Sequence, residues 1–182
     1  MLLSVGLAGA DIHVASAGTR ALVGSKMDPR LAKRLAEAGL APDEFVSRQV
    51  TPEMLRAADL VLTATREHRS LVVRMQPGVL RRTYALADFA DLAAHLLQAD
   101  PQRLEGAEIA GDGLVRRISE TASRSRGEVR ARTRDEADII DPFRQPDKVL
   151  GHMVGQVGQL LPPIISVFIS ASELRSSVAE RE

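Results

Sequence analysis

The chain has no cysteine among its 182 residues. This absence excludes disulfide bonds, thiolate metal sites and any thiol nucleophile supplied by the chain itself. Tryptophan is also absent and aromatic residues make up only 3% of the sequence, which together with abundant Ala, Leu and Arg favours helices over an all-β sandwich. The 24 basic and 24 acidic residues balance, so the composition predicts no nucleic-acid partner and no acidic-membrane partner.

Size and hydropathy predict one soluble domain. With 45% hydrophobic residues in 182, the chain can bury a sizeable core. No continuous run approaches the ~18 to 20 apolar residues of a membrane span, and Met1-Leu2-Leu3 lacks the basic flank of a signal peptide, so we predict a cytoplasmic protein without membrane contact. The four histidines are scattered, and no zinc spacing, Walker pattern or G-x-S-x-G elbow occurs, so we predict no metal and no cofactor. The oligomeric state stays open.

Strand and helix patterns alternate along the first half of the chain. Predicted strands cover residues 12–15, 45–50, 60–64 and 79–86, and the apolar run at 60–64 is typical of a parallel strand that is covered on both faces. Asp28-Pro29 and Thr51-Pro52 each predict the start of a helix, and further helices are expected at 66–75 and 87–98. The predicted fold is therefore α/β, with an open doubly wound parallel sheet flanked by helices.

The second half of the chain is less regular. Residues 100–136 are rich in arginine and predict a solvated insertion, with a basic docking strip for an acidic or phosphorylated partner as the alternative. Residues 149–161 show helical spacing that Pro162-Pro163 should end. Residues 1–7 are typical of the end of a helix that began earlier. We expect a single domain over residues 1–169 and a polar, fraying tail at 170–182.

One turn carries the clearest chemical signal. Pro142 restricts Asp141 to an extended backbone, and Phe143 follows at once. A rigid turn that presents a carboxyl group beside an aromatic face can protonate a leaving group while it contacts an apolar ring; the simpler interpretation is a turn that enters a helix. A Ser16, His68 and Asp141 triad is also conceivable, but nothing in the sequence places these three together, and His13 is assigned no role.

Five short motifs occur in a fixed order along the chain. They are Ser16-Ala17-Gly18-Thr19, Met27-Asp28-Pro29-Arg30, Ser47-Arg48-Gln49-Val50-Thr51, Ala58-Asp59-Leu60-Val61-Leu62 and Asp138-Ile139-Ile140-Asp141-Pro142-Phe143. Together the motifs cover most of the chain except the arginine-rich segment and the tail. In this order they resemble the low-molecular-weight protein tyrosine phosphatases, and the turn around Asp141 and the Ser-Ala-Gly-Thr loop are the most diagnostic.

The resemblance implies a four-stranded parallel sheet and a phosphate loop, Cys-x-x-x-x-x-Arg-Ser, whose thiolate attacks phosphorus. Asp141 matches the general acid and base of that family, and Phe143 matches an aromatic that flanks the phosphotyrosine ring. Arg144 stands where a second aromatic is common, and Ser16 matches the serine that supports the phosphate loop. The implied substrate is a phosphotyrosine protein or a small aryl phosphate.

The chain differs from the family in that it lacks the nucleophilic cysteine. The first strand and the phosphate loop of the family would precede residue 1, so the chain is expected to be an N-terminally truncated form without measurable phosphatase activity, because losing a covalent nucleophile lowers kcat on the order of 10⁶-fold. Since that strand is interior, its absence should leave a gap in the sheet. Two alternatives remain: a non-catalytic phosphatase-like protein that binds a partner through the arginine-rich segment, and an arsenate reductase-like relative, which would need further thiols.

Overall fold

A computed structural model describes residues 12–40, 45–99 and 113–179. The helix end predicted at residues 1–7 and the first part of the predicted insertion, 100–112, lie outside these ranges. The elements, in chain order, are α1 (Pro29–Glu37), α2 (Pro52–Ala57), β1 (Val61–Thr63), α3 (Arg66–Met75), a 3-10 helix (Pro77–Arg82), β2 (Thr83–Ala85), α4 (Leu86–Gln98), α5 (Leu114–Arg124), a 3-10 turn (Ser125–Gly127), α6 (Arg134–Ala137) and α7 (Asp147–Ala179).

The predicted helix starts are confirmed by their caps. Asp28 Oδ1 accepts a hydrogen bond from the Arg30 amide at 2.8 Å and opens α1, Thr51 Oγ1 caps α2, and Thr65 Oγ1 caps α3. These side chains satisfy amide groups that have no partner within a first helical turn. Helix α1 ends before Gly39, whose φ of +76° suits a residue without Cβ.

The sheet is parallel, as predicted. β1 and β2 pair in the register Val61 to Thr83, Leu62 to Tyr84 and Thr63 to Ala85, and α3 forms most of the connection between them. One detail of the prediction is wrong: β1 is not covered on both faces, because Leu62 is 36% exposed and lines an open groove. The face of β1 that carries Leu62 is therefore partly exposed, although its apolar sequence predicted burial.

The two earlier predicted strands are not regular strands. Residues 12–15 and 45–48 have no strand assignment, and just after them a single parallel bridge joins Gly18 and Gln49. The Gly18 amide donates to the Arg48 carbonyl and the Val50 amide donates to the Gly18 carbonyl, each at 2.9 Å. A ladder needs a neighbouring strand about 4.8 Å away, and residues 13 and 15–17 line the groove beside β1.

The main core lies between α4, α5 and α7. Phe89 and Val167 are fully buried there, and the rings of Tyr84 and Phe89 have centroids 5.1 Å apart. The prediction of a solvated insertion is wrong for α5, because Leu114, Ile118 and other α5 residues are buried in this core. Their i, i+4 spacing places the apolar side chains on one face of α5 and the arginines on the other.

Helix α7 continues through Pro162 and Pro163 to Ala179, so the predicted helix end is wrong. An interior proline costs about 3 kcal/mol or more, but burial of an aliphatic side chain contributes about 1.5–3 kcal/mol, and α7 buries Leu160, Ile164 and Val167 against the core. The predicted fraying tail also begins too early, because the helix extends across its first ten residues.

The hydropathy of α7 bears on the prediction that the protein has no membrane contact. Although glycines and polar residues interrupt the apolar run, the segment from Asp147 to Glu173 has a mean hydropathy of 1.4 over its most apolar window. By length and composition alone it could cross a membrane, and it is the one such helix among the described residues. Core helices of soluble proteins pass the same test, and one face of α7 packs on α4 and α5. Absence of membrane contact stays a prediction.

Candidate active site

A groove of about 760 Å³ lies beside β1. One wall is the backbone from Ala15 to Thr19 and the other is β1 with its flanking residues, from Asp59 to Ala64. Met54, Leu55 and Val72 from α2 and α3 also line it, so much of its surface is apolar. A groove lined by the backbone of a sheet-edge strand such as β1 is a place where a further strand can be added.

Two side chains hold residues 15–19, which we name the Ser16 wall of the groove, in place. The Gln49 amide group donates to the Thr19 carbonyl at 2.9 Å and accepts from the Ala21 amide at 3.0 Å. Arg48 Nε donates to the Ser16 carbonyl at 2.7 Å. Residues 16–21 lack a regular ladder, and these side-chain bonds satisfy backbone groups that a sheet would otherwise pair.

The turn that carries Asp141 is fixed to the opposite wall. The Ile139 amide donates to the Ala64 carbonyl, directly after β1, at 2.9 Å. Asp138 Oδ1 accepts from the Arg66 amide at 2.8 Å, at the first residue of α3. Because Ala64 lines the groove, the turn begins at the carboxyl end of β1, the edge where open α/β sheets place their ligands.

The far end of the turn is fixed to α1. Arg30 Nη1 donates to the Gln145 carbonyl at 2.7 Å, and Arg34 forms an ion pair with Asp147 at 2.7 Å. Arg30 is itself held by Asp28, whose pKa falls to about 2 chiefly because of its side-chain hydrogen bond to Arg30. We name residues 138–147, which carry Asp141, the acid turn. It is attached at one end to β1 and α3 and at the other end to α1.

Within the turn, Asp141 is exposed and Oδ1 accepts a hydrogen bond from the Phe143 amide at 2.9 Å. Phe143 is 54% exposed, and the Arg144 guanidinium lies 5.1 Å from the centre of its ring. Arg144 has a φ of +55°, a conformation that is uncommon for residues other than glycine. The structure therefore presents the carboxyl group, the aromatic ring and the guanidinium together on one exposed turn.

Ser16 and His68 both line the groove, but Asp141 does not. His68 Nδ1 lies 2.9 Å from Thr65 Oγ1, within the cap of α3. That hydrogen bond assigns the histidine a structural role, and the three residues do not form a Ser-His-Asp triad. Ser16 lies on the wall opposite β1, and its predicted role in supporting a phosphate loop stays a prediction.

Sequence reasoning gave no role to Arg30, Arg48 or Gln49, although all three lie within quoted motifs. The signal that could have found them is their position: Arg30 lies in the first turn of α1, and Arg48 and Gln49 lie in a segment without a regular ladder, so backbone groups near them need partners. Long polar side chains at such points commonly bond to the backbone of a neighbouring segment. Their roles depend on the tertiary arrangement, which a local pattern does not contain.

One family model matches most of the chain. The family model described as "Low molecular weight phosphotyrosine protein phosphatase" matches residues 2–124, which is well over half of the chain. The chain belongs to the low molecular weight phosphotyrosine protein phosphatase family. The matched region includes Ser16, the groove and α5.

Among characterised relatives, the chain is 36% identical over 70 residues to a probable low molecular weight protein-tyrosine-phosphatase, AmsI, of Erwinia amylovora. That match covers 38% of this chain and 49% of the relative, so the chain spans about half the length of the curated relative it matches.

Two solved structures are also similar. The crystal structure of AmsI has a TM-score of 0.45 at 18% identity, covering 89% of this chain and 71% of the other. Vibrio vulnificus Wzb, in complex with benzylphosphonate, has a TM-score of 0.49 at 14% identity, covering 80% and 68%.

Proposed function

We propose that this chain is the scaffold of an aryl-phosphate monoester hydrolase, a protein tyrosine phosphatase, and that residues 1–182 alone are inactive because they contain no cysteine. Asp141 is the proton donor to the leaving phenolate and later activates the water that hydrolyses the phosphocysteine. Phe143 and Arg144 contact the aromatic ring of the substrate. Ser16 supports the phosphate loop. Placement in the cytoplasm is part of the same proposal.

The observation that carries this proposal is the groove between the Ser16 wall and β1. In this proposal the two lining segments, 15–19 and 59–64, flank an added interior parallel strand. The lining includes Ala64, whose carbonyl accepts a hydrogen bond from the Ile139 amide where the Asp141 turn begins. A strand placed there would deliver the residues that follow it to the carboxyl edge of the sheet, beside that turn. A loop of backbone amides and one arginine at that point would bind a phosphoryl group.

Lack of activity in the chain as given follows from its composition. The acid in this mechanism assists departure of the phenolate, but a nucleophile must form the bond to phosphorus, and the chain contains no cysteine. Removal of the nucleophile from a covalent mechanism lowers kcat on the order of 10⁶-fold. Asp141 alone is therefore insufficient for measurable turnover.

The test is a gain of function. A family-consensus strand followed by Cys-x-x-x-x-x-Arg-Ser is fused before residue 1, and hydrolysis of p-nitrophenyl phosphate is compared with that by residues 1–182 alone. We expect activity only in the extended protein, and loss of that activity when the added cysteine is replaced by serine. A folded extended protein without activity would contradict the proposal, as would cysteine-independent hydrolysis.

Hydrogen exchange tests whether the added strand occupies the groove, independently of catalytic activity. If the added strand occupies the groove, the amide protons of β1, including that of Leu62, should exchange more slowly in the extended protein. The serine-for-cysteine version should show the same protection. Unchanged exchange at β1 in a folded extended protein would mean that the groove does not receive the strand.

The role of Asp141 is tested by leaving-group dependence in the extended protein. Asp141→Asn should slow hydrolysis of phenyl phosphate much more than hydrolysis of p-nitrophenyl phosphate, because the nitrophenolate departs without protonation. Asp135→Asn, an exposed acid on α6, is the matched control and should leave both rates unchanged. Equal slowing of both substrates by Asp141→Asn would exclude the acid role.

A further inference from the structure

A second cavity, of about 400 Å³, lies between α3, α4 and the segment after α5. It shares no lining residue with the groove beside β1. We name it the arginine cavity, because four arginines and two acids line it among the residues that the structure describes. The charged and aromatic residues on which the argument rests are Arg66, Arg69, Tyr84, Asp88, Asp91 and Arg126.

Both acids of the arginine cavity are already paired. Arg66 donates to the two carboxylate oxygens of Asp88 at 2.7 and 3.0 Å. Arg132 donates to the two oxygens of Asp91 at 2.6 and 2.7 Å. Such two-point pairs use both carboxylate oxygens in a planar geometry. The negative charge of these acids is therefore largely compensated before the other arginines are considered.

Arg69 and Arg126 are left without a carboxylate. Among the described residues neither guanidinium forms an ion pair, and both instead bond to the Thr83 carbonyl: Arg69 Nε at 2.8 Å and Arg126 Nη2 at 3.1 Å. The terminal nitrogens of Arg69 have no hydrogen-bond partner in the part of the chain that the structure describes. Two cations that share one acceptor and line one cavity form an electropositive site.

The position of both arginines is fixed. The Arg126 guanidinium stacks 4.2 Å from the centre of the Tyr84 ring, and Tyr84 is anchored by hydrogen bonds from its hydroxyl group to the Arg81 and Ser119 carbonyls. The pKa of Arg69 is lowered, first by burial and second by the neighbouring Arg126. An anion between the two guanidiniums would relieve this repulsion.

We propose that the arginine cavity binds a phosphate group, either as inorganic phosphate or as the phosphate of a small ester. A phosphate dianion matches the two uncompensated guanidiniums in charge, and its oxygens suit their planar donors. The cavity volume of about 400 Å³ is many times the ~30 Å³ that one water molecule occupies in the liquid. A phosphate therefore leaves room for a small organic group. The site is separate from the proposed catalytic groove and needs no phosphate loop.

The experiment uses residues 1–182, which contain no cysteine and hence no catalytic phosphate loop. Inorganic phosphate is titrated at constant ionic strength while ¹H–¹⁵N spectra record the Nε–H signals of Arg69 and Arg126 and the Tyr84 amide. We expect saturable shifts at these three groups. Parallel titrations with glycerol phosphate and with sulfate separate an ester site, a site for free phosphate and a site for any dianion.

Substitutions test the assignment. Arg69→Met should weaken phosphate binding at least tenfold, while Arg69→Lys, which keeps the charge but loses the planar donors, should have an intermediate effect. Arg74→Met, an exposed arginine on the same helix, is the matched control and should bind like the unmodified chain. Circular dichroism verifies that each variant is folded.

Three results would overturn the proposal. They are the absence of saturable shifts in the folded chain, binding that Arg69→Met leaves unchanged, and equal weakening by Arg74→Met, which would indicate general screening. If Arg69 and Arg126 served only to bond the Thr83 carbonyl, the substitutions would lower stability without any phosphate-dependent signal to lose.

Discussion

Substitution of Val167 tests whether the part of α7 that follows Pro162 and Pro163 packs in the core. The side chain is fully buried, and Val167→Ala removes two carbons, each contributing about 0.8 kcal/mol. The cavity that remains adds to this loss, so we expect a decrease in the free energy of unfolding of about 2 kcal/mol. Against a total of about 5–15 kcal/mol for a typical domain, this change is readily measured.

The matched control is Ile165→Ala, on the same helix and also after the prolines. Ile165 is 40% exposed, so its truncation should cost less than about 1 kcal/mol. Urea unfolding followed by circular dichroism measures both variants. With a slope of about 1–3 kcal/mol per molar urea, Val167→Ala should lower the midpoint by roughly 1 M. Equal effects of the two substitutions would refute the packing of α7 described above.

Two further predictions concern Tyr84 and Asp28. Tyr84→Phe leaves the buried Ser119 carbonyl without its hydroxyl donor, so thermal unfolding should show a loss of about 1–3 kcal/mol; an unchanged melting temperature would argue against this bond. Because the folded pKa of Asp28 is lowered from 3.8 to about 2, its stabilising effect should be present above pH 3.8 and disappear as the pH falls through about 2. The difference in stability between the unmodified chain and Asp28→Asn should shrink over that range, and a pH-independent difference would contradict the assignment.

Helices with local start signals were predictable from the sequence. The predicted bounds of α3 agree with the structure, because Thr65 supplies its cap and Gln76-Pro77 ends it. The parallel pairing of β1 also followed from its apolar run and the neighbouring helical patterns. These features depend on residues close together in the chain, where capping and periodicity carry the information.

The predictions that are wrong concern segments where tertiary contacts override local sequence patterns. Pro162-Pro163 is a strong local stop signal, but burial of Ile164 and Val167 on the following turns keeps α7 helical. In α5, the many arginines obscured an apolar face that packs into the core. Strand formation at residues 12–15 depends on a neighbour beside it, and a single segment cannot report whether that neighbour is present.

The candidate site was partly predictable. The motifs around Ser16 and Asp141 pointed to two segments, and the structure places them on or next to opposite walls of one groove. The sequence did not indicate that Arg30 and Arg34 fix the far end of the acid turn. It also did not reveal the arginine cavity, whose two central cations lie 57 positions apart in the chain.

The most direct test of the central claim is the rate of p-nitrophenyl phosphate hydrolysis by two proteins measured side by side. One is residues 1–182 and the other is the same chain preceded by a strand and the Cys-x-x-x-x-x-Arg-Ser loop. We expect no enzyme-dependent hydrolysis by the first protein and cysteine-dependent turnover by the second. Turnover by pure residues 1–182, or a folded but inactive extended protein, would contradict it.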